Sequence, residues 1–367
     1  MRVTRDILNV DNSFVSNFAP EELNLQSLEA VRLLLYGTSI IDWHKLDMTT
    51  MEEVNQFLRV QLLDPEDMGD MFRLRFVFNQ AITYLEEHMQ MRFPAELRQP
   101  DDVREIFIAA STYSGRFRRR QMQACMILKL MHVINHMECA DLKFQSPISE
   151  AHLLDQAEKR IIAHANRMRD DGFNLLAFYG SRKTRTSMIT KLLSKRETIA
   201  ATIFDKLRFR IVVPKKDDVI PVLSHLCRTL FPFNYVIPGE SHNNLVDFPR
   251  ELRETPQFAE LGKQLQRLSS KPLEPQSEEN PFSGESYRMV NFIVDFPVRV
   301  DRILPELNTD SSYMLGQTVF VMVEFQVVDK ATAELNERGE NAHMLYKKRQ
   351  RRIVEGRLLK GSLSREK

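Results

Sequence analysis

The chain is short of cysteine, of net charge and of long apolar runs. Its 367 residues include three cysteines, Cys125, Cys139 and Cys227, with no Cys-x-x-Cys pair. A set so sparse and odd in number argues against a disulfide framework and fits a reducing cytoplasm. The formal net charge is +1, so bulk charge implies neither a nucleic-acid nor a membrane partner; either would need a local patch. No apolar run approaches the roughly 20 residues that span a bilayer. The N-terminal Met1–Phe14 also lacks an apolar core of signal-peptide length. No internal repeat is present. Hydrophobic residues at 43% and charged residues at 28% suit an ordinary globular protein, and the length suggests two domains.

The first 150 or so residues carry helical patterns. Thr50-Met51-Glu52-Glu53 has the form of a capping box, after which Met51, Val54, Phe57 and Leu58 share one face. Further helices are expected over Met68–Met91, from Pro100-Asp101-Asp102 onward, and over Arg118–Cys139, where Met122, Cys125, Leu128, Met131 and Ile134 are spaced for burial. From about Pro147 the texture changes to α/β alternation around a mixed sheet. A helix over Ile148–Arg169 leads to the apolar run Leu175–Tyr179, a Gly-Ser turn and a helix over Thr186–Lys195. Strand-like runs follow at Leu207–Val213, Asn234–Ile237, Tyr287–Asp295 and Thr318–Val328. Asp217 and Asp218 open a helix reaching Leu230, and a final helix runs from Lys330 into the tail. The polar stretch His242–Gly284 reads as an insertion holding one helix and a loose linker. The expected organisation is a helical domain over 1–147, an α/β domain over 148–350 interrupted at about 242–284, and a basic, flexible tail over 351–367.

Three separated segments could carry chemistry together. Lys183, Ser187 and Lys191 recur at i, i+4 and i+8 behind a Gly-Ser turn, with Arg182 beside them. Free N–H groups at a helix start plus these cations would suit a polyphosphate, although a solvated basic helix start has the same pattern. Asp205 stands at the mouth of a strand, where a carboxylate can ligate Mg²⁺, and Arg210 lies further along that strand. An acid in a loop before a strand is also common. Glu324 and Gln326 share a strand face with Phe320 and Met322, so that face is expected to be partly buried. A carboxylate there needs a partner or a metal, unless the strand lies at an edge and the acid faces water.

In order and type these segments resemble the synthetase domain of RelA/SpoT-type alarmone synthetases. The Lys183-x-x-x-Ser187-x-x-x-Lys191 spacing is similar to the family's ATP-binding segment. Phe204-Asp205 through Val213 resembles its Mg²⁺-binding Asp and following strand, and Asn234–Pro238 the segment leading to the acceptor site. Tyr287 and Asn291 stand where the family has Tyr-x-x-x-His, and Val323-Glu324-Phe325-Gln326-Val327 matches its Glu-x-Gln strand. Glu337 through Lys347, including His343, is close to the helix that closes the domain. The likeness covers Ile161 to Lys347, roughly half the chain.

The resemblance implies a nucleotidyltransferase-like α/β (α+β) fold, a mixed sheet flanked by helices, behind an all-helical N-terminal domain. It implies a bacterial, cytoplasmic enzyme of the stringent response that moves pyrophosphate from ATP to an acceptor nucleotide. Arg182, Lys183, Ser187, Lys191 and Arg210 would hold ATP, and Asp205 and Glu324 would bind Mg²⁺ and act in catalysis. Tyr287, Asn291, Gln326 and His343 would bind the acceptor, with Tyr287 stacking on its base. The family's Lys and Asn before that Tyr are missing, its His is Asn291, and the Arg after its Glu-x-Gln strand is Val328. These departures fall on the acceptor side and leave GDP, GTP, ADP and ATP open as acceptors, as well as a catalytically silent, nucleotide-sensing module. The His-Asp pair of the family's hydrolase domain is absent from the N-terminal region.

Other features have plainer readings. His132 and His136 stand one helical turn apart, a metal-ligand spacing, but on an apolar helix where packing explains them better. Arg116, Arg118, Arg119 and Arg120 form one basic run, and Lys347, Lys348, Arg349, Arg351 and Arg352 a second. Solvated helix ends account for both, but an RNA acceptor such as a tRNA end, and with it a toxin-like translation inhibitor, becomes credible if both lie beside the cleft. Trp43 and His44 suggest only packing.

Overall fold

The computed structural model describes residues 23–36, 48–111, 118–194, 205–255, 258–268, 287–301, 303, 316–338 and 343–359. Trp43, His44, Phe204 and the whole 269–286 stretch lie outside them. Seven helices precede the first strand among the described residues: α1 (Leu25–Tyr36), α2 (Met51–Val60), α3 (Met68–Glu87), α4 (Ala95–Arg98), α5 (Glu105–Ser111), α6 (Arg118–Gln145) and α7 (Glu150–Asp170). The capping box forms as expected: Thr50 Oγ1 accepts from the Glu53 N–H at 3.3 Å, and Glu53 Oε2 accepts from the Thr50 N–H at 2.9 Å. Helix α1 starts in a similar way, with Asn24 Oδ1 accepting from the Ser27 N–H at 2.8 Å and Ser27 Oγ from the Asn24 N–H at 3.0 Å. It is buried along its length, and Arg32 answers Glu29 one turn away, so both charges are paired inside the fold.

Five strands form one mixed sheet among the described residues: β1 (Ala177–Arg182), β2 (Leu207–Val213), β3 (His242–Asn243), β4 (Val290–Arg299) and β5 (Thr318–Asp329), in the order β1-β2-β5-β4-β3. Only β2 and β5 run parallel; the other neighbours are antiparallel. Around them lie α8 (Arg185–Ser194), α9 (Val219–Thr229), α10 (Phe248–Glu254), α11 (Ala259–Leu268), α12 (Lys330–Asn336) and α13 (His343–Leu359).

The period of two along each strand divides the sheet into unlike faces. One carries a row of buried rings: Phe209, Phe325 and Phe292 are register partners across β2, β5 and β4. Phe178 packs on Phe209 at 5.3 Å, and Phe231 covers Phe325 at 5.2 Å. Each fully buried Phe contributes about 1.5–3 kcal/mol, so this row anchors the sheet. The alternate residues Arg208, Arg210, Glu324, Gln326 and Asn291 therefore project together from the opposite face.

The helices before β1 are tied to the sheet at several points, and buried residues of both form one continuous cluster. Arg299 at the end of β4 bonds Asp70 of α3 (2.7 and 2.9 Å), Asp301 (2.8 and 2.9 Å) and the Leu62 carbonyl (2.9 Å). Arg160 of α7 donates to the carbonyls of Pro297 and Leu230 and lies over the Phe296 ring. Lys143, near the end of α6, donates to the Phe320 carbonyl at 2.9 Å.

Three expectations of local structure need correction. Asn234–Ile237 is not a strand. Phe233–Tyr235 is a single 3₁₀ turn, and only Val236 bridges to β4. Proline on both sides, Pro232 and Pro238, removes ladder donors, and the Tyr235 ring wedges against His136 and Phe320. The final helix is two helices, α12 and α13. The described part of the insertion holds the short strand β3 and two helices, α10 and α11, rather than one. Asp247 starts α10 by accepting from the Arg250 N–H.

Candidate functional site

The turn after β1 brings the first lysine inward. The Lys183 N–H donates to the Lys206 carbonyl at 3.0 Å, which fixes the turn beside the start of β2. Thr184 Oγ1 accepts from the Ser187 N–H at 3.3 Å and its hydroxyl donates to Ser187 Oγ, so the two residues cap α8. Lys183 thus lies in the turn rather than on the helix, and Lys191 reaches back from α8. Both ammonium groups bond Asp205: Lys183 to Oδ2, and Lys191 to Oδ1 at 2.7 Å. Asp205 is 6% exposed.

The parallel register of β2 and β5 sets Arg208 directly opposite Glu324. One guanidinium serves both acids. Arg208 Nε donates to Glu324 Oε2 at 2.9 Å, and Nη2 donates to Asp205 Oδ2 at 3.1 Å. Gln326 Nε2 donates to Glu324 Oε1 at 2.9 Å. Asp205 and Glu324, more than a hundred residues apart in sequence, therefore share one cation on one face of the sheet.

Burial would raise the pKa of Asp205, but Lys191, Lys183 and Arg208 outweigh it and hold the carboxyl well below the usual range. Burial brings Lys183 down to about 8; Asp205 opposes that fall, while Lys191 and Arg208 add to it. Arg208 keeps its charge despite burial because Glu324 and Asp205 face it. Three cations thus meet two carboxylates, an excess of one positive charge, which suits a polyphosphate.

The remaining expected residues fall in different places. Arg210 lies on the same face but pairs with Glu337 at 3.1 Å. Arg182 lies on the other face, paired with Asp155 (2.6 Å) and Glu158 (2.5 Å) of α7, away from the lysines. Tyr287 is half-buried just before β4; burial raises its pKa, with the charges of Arg210, Arg208, Glu337 and Glu324 all felt at its hydroxyl. Asn291 pairs in register with Gln326 on one side and His242 on the other. Its Oδ1 is buried without a hydrogen-bond partner among the described residues. His343 opens α13, with its side chain outside the described residues.

The chain is similar in structure to small alarmone synthetases. Small alarmone synthetase 1 from Bacillus subtilis matches 58% of this chain and 87% of its own, at 15% identity and a TM-score of 0.31. The same enzyme bound to its product pppGpp matches 65% and 95%, at 15% identity and a TM-score of 0.28. Small alarmone synthetase 2 from Bacillus subtilis matches 63% and 94%, at 16% identity and a TM-score of 0.28. No protein-family description matches the sequence, and no curated protein does.

Several residues that build the site escaped the sequence reading. Arg208 is the foremost. It alternates with Arg210 along β2, so both share a face, but only the register with β5 shows which one meets Glu324. Asn244 and Asn336 hold the backbone around Tyr287 from two sides. Asn244 Nδ2 donates to the Tyr287 carbonyl (2.7 Å) and its Oδ1 accepts from the Met289 N–H (2.8 Å). Asn336 Oδ1 accepts from the Arg288 N–H (3.0 Å) and its Nδ2 donates to the Arg288 carbonyl (2.7 Å). Neither Asn has a signal in its local sequence.

The two basic runs sit on different helices, with different partners. Helix α13 packs on α8, with Gln350 Nε2 donating to Ser194 Oγ and Arg357 to the Leu193 carbonyl. Lys347, Lys348, Arg351 and Arg352 are exposed on this helix. Arg120 instead pairs with Glu96, roughly 35 Å along α6 from Lys143 at the 1.5 Å rise of an α-helix. Arg116 and the side chain of Arg118 lie outside the described residues. His132 and His136 serve packing: their rings lie 4.2 Å apart, and His136 stacks on Phe320. No cluster of three or more His, Cys, Asp or Glu suited to a metal occurs among the described residues. No described helix is long and apolar enough to cross a membrane.

Proposed function

We propose that this chain transfers a pyrophosphoryl group from ATP to a hydroxyl of an acceptor nucleotide, within a synthetase domain spanning about 148–350 behind a helical region over 1–147. The observation that carries this reading is the meeting of Lys183, Lys191 and Arg208 at the Asp205–Glu324 pair. Lys183, Lys191 and Arg208 bind the triphosphate, with Arg210 beside them on the same face. Ser187 shapes the turn that presents Lys183. Tyr287 stacks on the acceptor base, and Asn291 and Gln326 line the same face. The acceptor hydroxyl oxygen bonds to the β-phosphorus, the bond from that phosphorus to the α–β bridging oxygen breaks, and AMP leaves. Glu324 orients the hydroxyl and takes its proton.

Asp205 and Glu324 offer two buried, hard carboxylate donors, the set that Mg²⁺ completes with phosphate oxygens, so these two residues would hold the ion. When bound, Mg²⁺ supplies neutralisation of charge on the phosphates. The work left to the protein is positioning and electrostatics, as in other phosphoryl transfers.

Incubation with γ-labelled ATP and Mg²⁺ over GDP, GTP, ADP, ATP and tRNA tests the reading. Label on a mononucleotide supports it. Label on tRNA would instead point to an RNA acceptor. Retention of all label in ATP would leave a nucleotide-sensing module. A cytoplasmic location is part of the same proposal.

A further inference from the structure

The geometry points to Arg208 as a resident cation that stands in the divalent ion's place between Asp205 and Glu324 until a nucleotide phosphate draws it away. The inference rests on the proposed function, which assigns those two carboxylates to the metal.

The oxygens a shared ion needs are already in use. Asp205 Oδ2 accepts from Arg208 and Lys183, Asp205 Oδ1 from Lys191, Glu324 Oε2 from Arg208, and Glu324 Oε1 from Gln326. Of these donors, Arg208 alone touches both acids. A divalent ion bridging the pair must therefore displace its guanidinium. The side-chain exposures show which group can move. Arg208 is 35% exposed, against 6% for Asp205 and 7% for Glu324. The two acids are buried, while the Arg208 side chain is partly exposed. Its planar fork also matches phosphate oxygens in bidentate fashion, so a triphosphate entering the lysine cradle gives Arg208 an equivalent partner. Without nucleotide, leaving the acids strands a desolvated charge; with nucleotide, the exchange is nearly even. Metal and nucleotide are then coupled, each favouring the other. Arg208 is a positioning residue that keeps the carboxylate pair charge-matched and closed to stray cations.

The test reads metal binding in the absence of nucleotide, using Mn²⁺ followed by electron paramagnetic resonance. Wild type should bind Mn²⁺ weakly. Arg208→Gln should bind at least tenfold more tightly, because the competing cation is gone. Arg208→Lys, which keeps the charge but cannot bridge both acids, should fall between them and guards against a folding defect in the Gln variant. Adding Asp205→Asn or Glu324→Gln to Arg208→Gln should abolish the gain. If both Arg208 variants bind no tighter than wild type while the carboxylate substitutions still weaken binding, the role given to Arg208 is overturned and the metal site stands. If the carboxylate substitutions leave Mn²⁺ binding unchanged in every background, the metal assignment of the proposed function fails instead.

Discussion

Asp205→Asn should push nucleotide binding and turnover in opposite directions. The substitution keeps the shape of the side chain and removes one negative charge. In the wild type Lys183, Lys191 and Arg208 face Asp205 and Glu324, a local charge of +1; the variant leaves three cations against one acid, +2. A unit charge about 6 Å from a phosphate, at an effective dielectric near 40, is worth about 1.4 kcal/mol, or roughly tenfold in affinity. ATP measured by calorimetry in EDTA should therefore bind up to about tenfold more tightly. Transfer of label in Mg²⁺ should fall by on the order of a thousandfold, the usual cost of removing a group that stabilises developing charge. The loss of counter-charge among partly solvated cations should lower stability by about 1–3 kcal/mol, well short of unfolding. Weaker binding in EDTA would show that Asp205 does not face the phosphates. Turnover within tenfold of wild type would end its catalytic assignment.

Binding should also respond to pH through Lys183. Because burial lowers its pKa to about 8, it is a cation below that pH and neutral above it. Affinity for ATP in EDTA should fall as pH rises through about 8, and Lys183→Arg should flatten the profile. Three histidines, His164 buried and His132 and His225 half-buried, should weaken the fold in acid. His132 and His164 are held down at about 3, and His225 at about 4, chiefly by burial. Their folded values lie below the unfolded value near 6.5, so their contribution is complete above that pH and is lost on acidification. Each should cost about 2 kcal/mol at pH 5, roughly 1.5 units at about 1.4 kcal/mol per unit; a melting temperature that does not change between pH 7 and 5 would contradict this. Arg299→Met leaves Asp70 and Asp301 without their shared partner and should destabilise by about 3–5 kcal/mol in denaturant titrations. Adding Asp70→Asn should restore part of that loss, since the two changes act on one contact.

Local chemistry alone determined much of this protein. The capping box at Thr50 starts a helix because its two bonds close within four residues. The alternation from Val319 to Val328 makes a strand with Glu324 and Gln326 on one face because successive side chains point apart. Residue type and order pointed to Asp205 and Glu324 as a carboxylate pair facing Lys183 and Lys191, but not to the lysines bonding Asp205 directly. Tertiary structure decided what local spacing cannot carry. Asn234–Ile237 has strand composition, but packing of Tyr235 against His136 and Phe320 folds it into a turn. Arg182 neighbours Lys183 in sequence but faces α7, since adjacent strand residues point to opposite sides. Above all, Arg208 meets Glu324 only because β2 and β5 pair in one particular register. A sequence shows which side chains share a face within a strand, but two strands more than a hundred residues apart slide to whichever register buries Phe209 against Phe325.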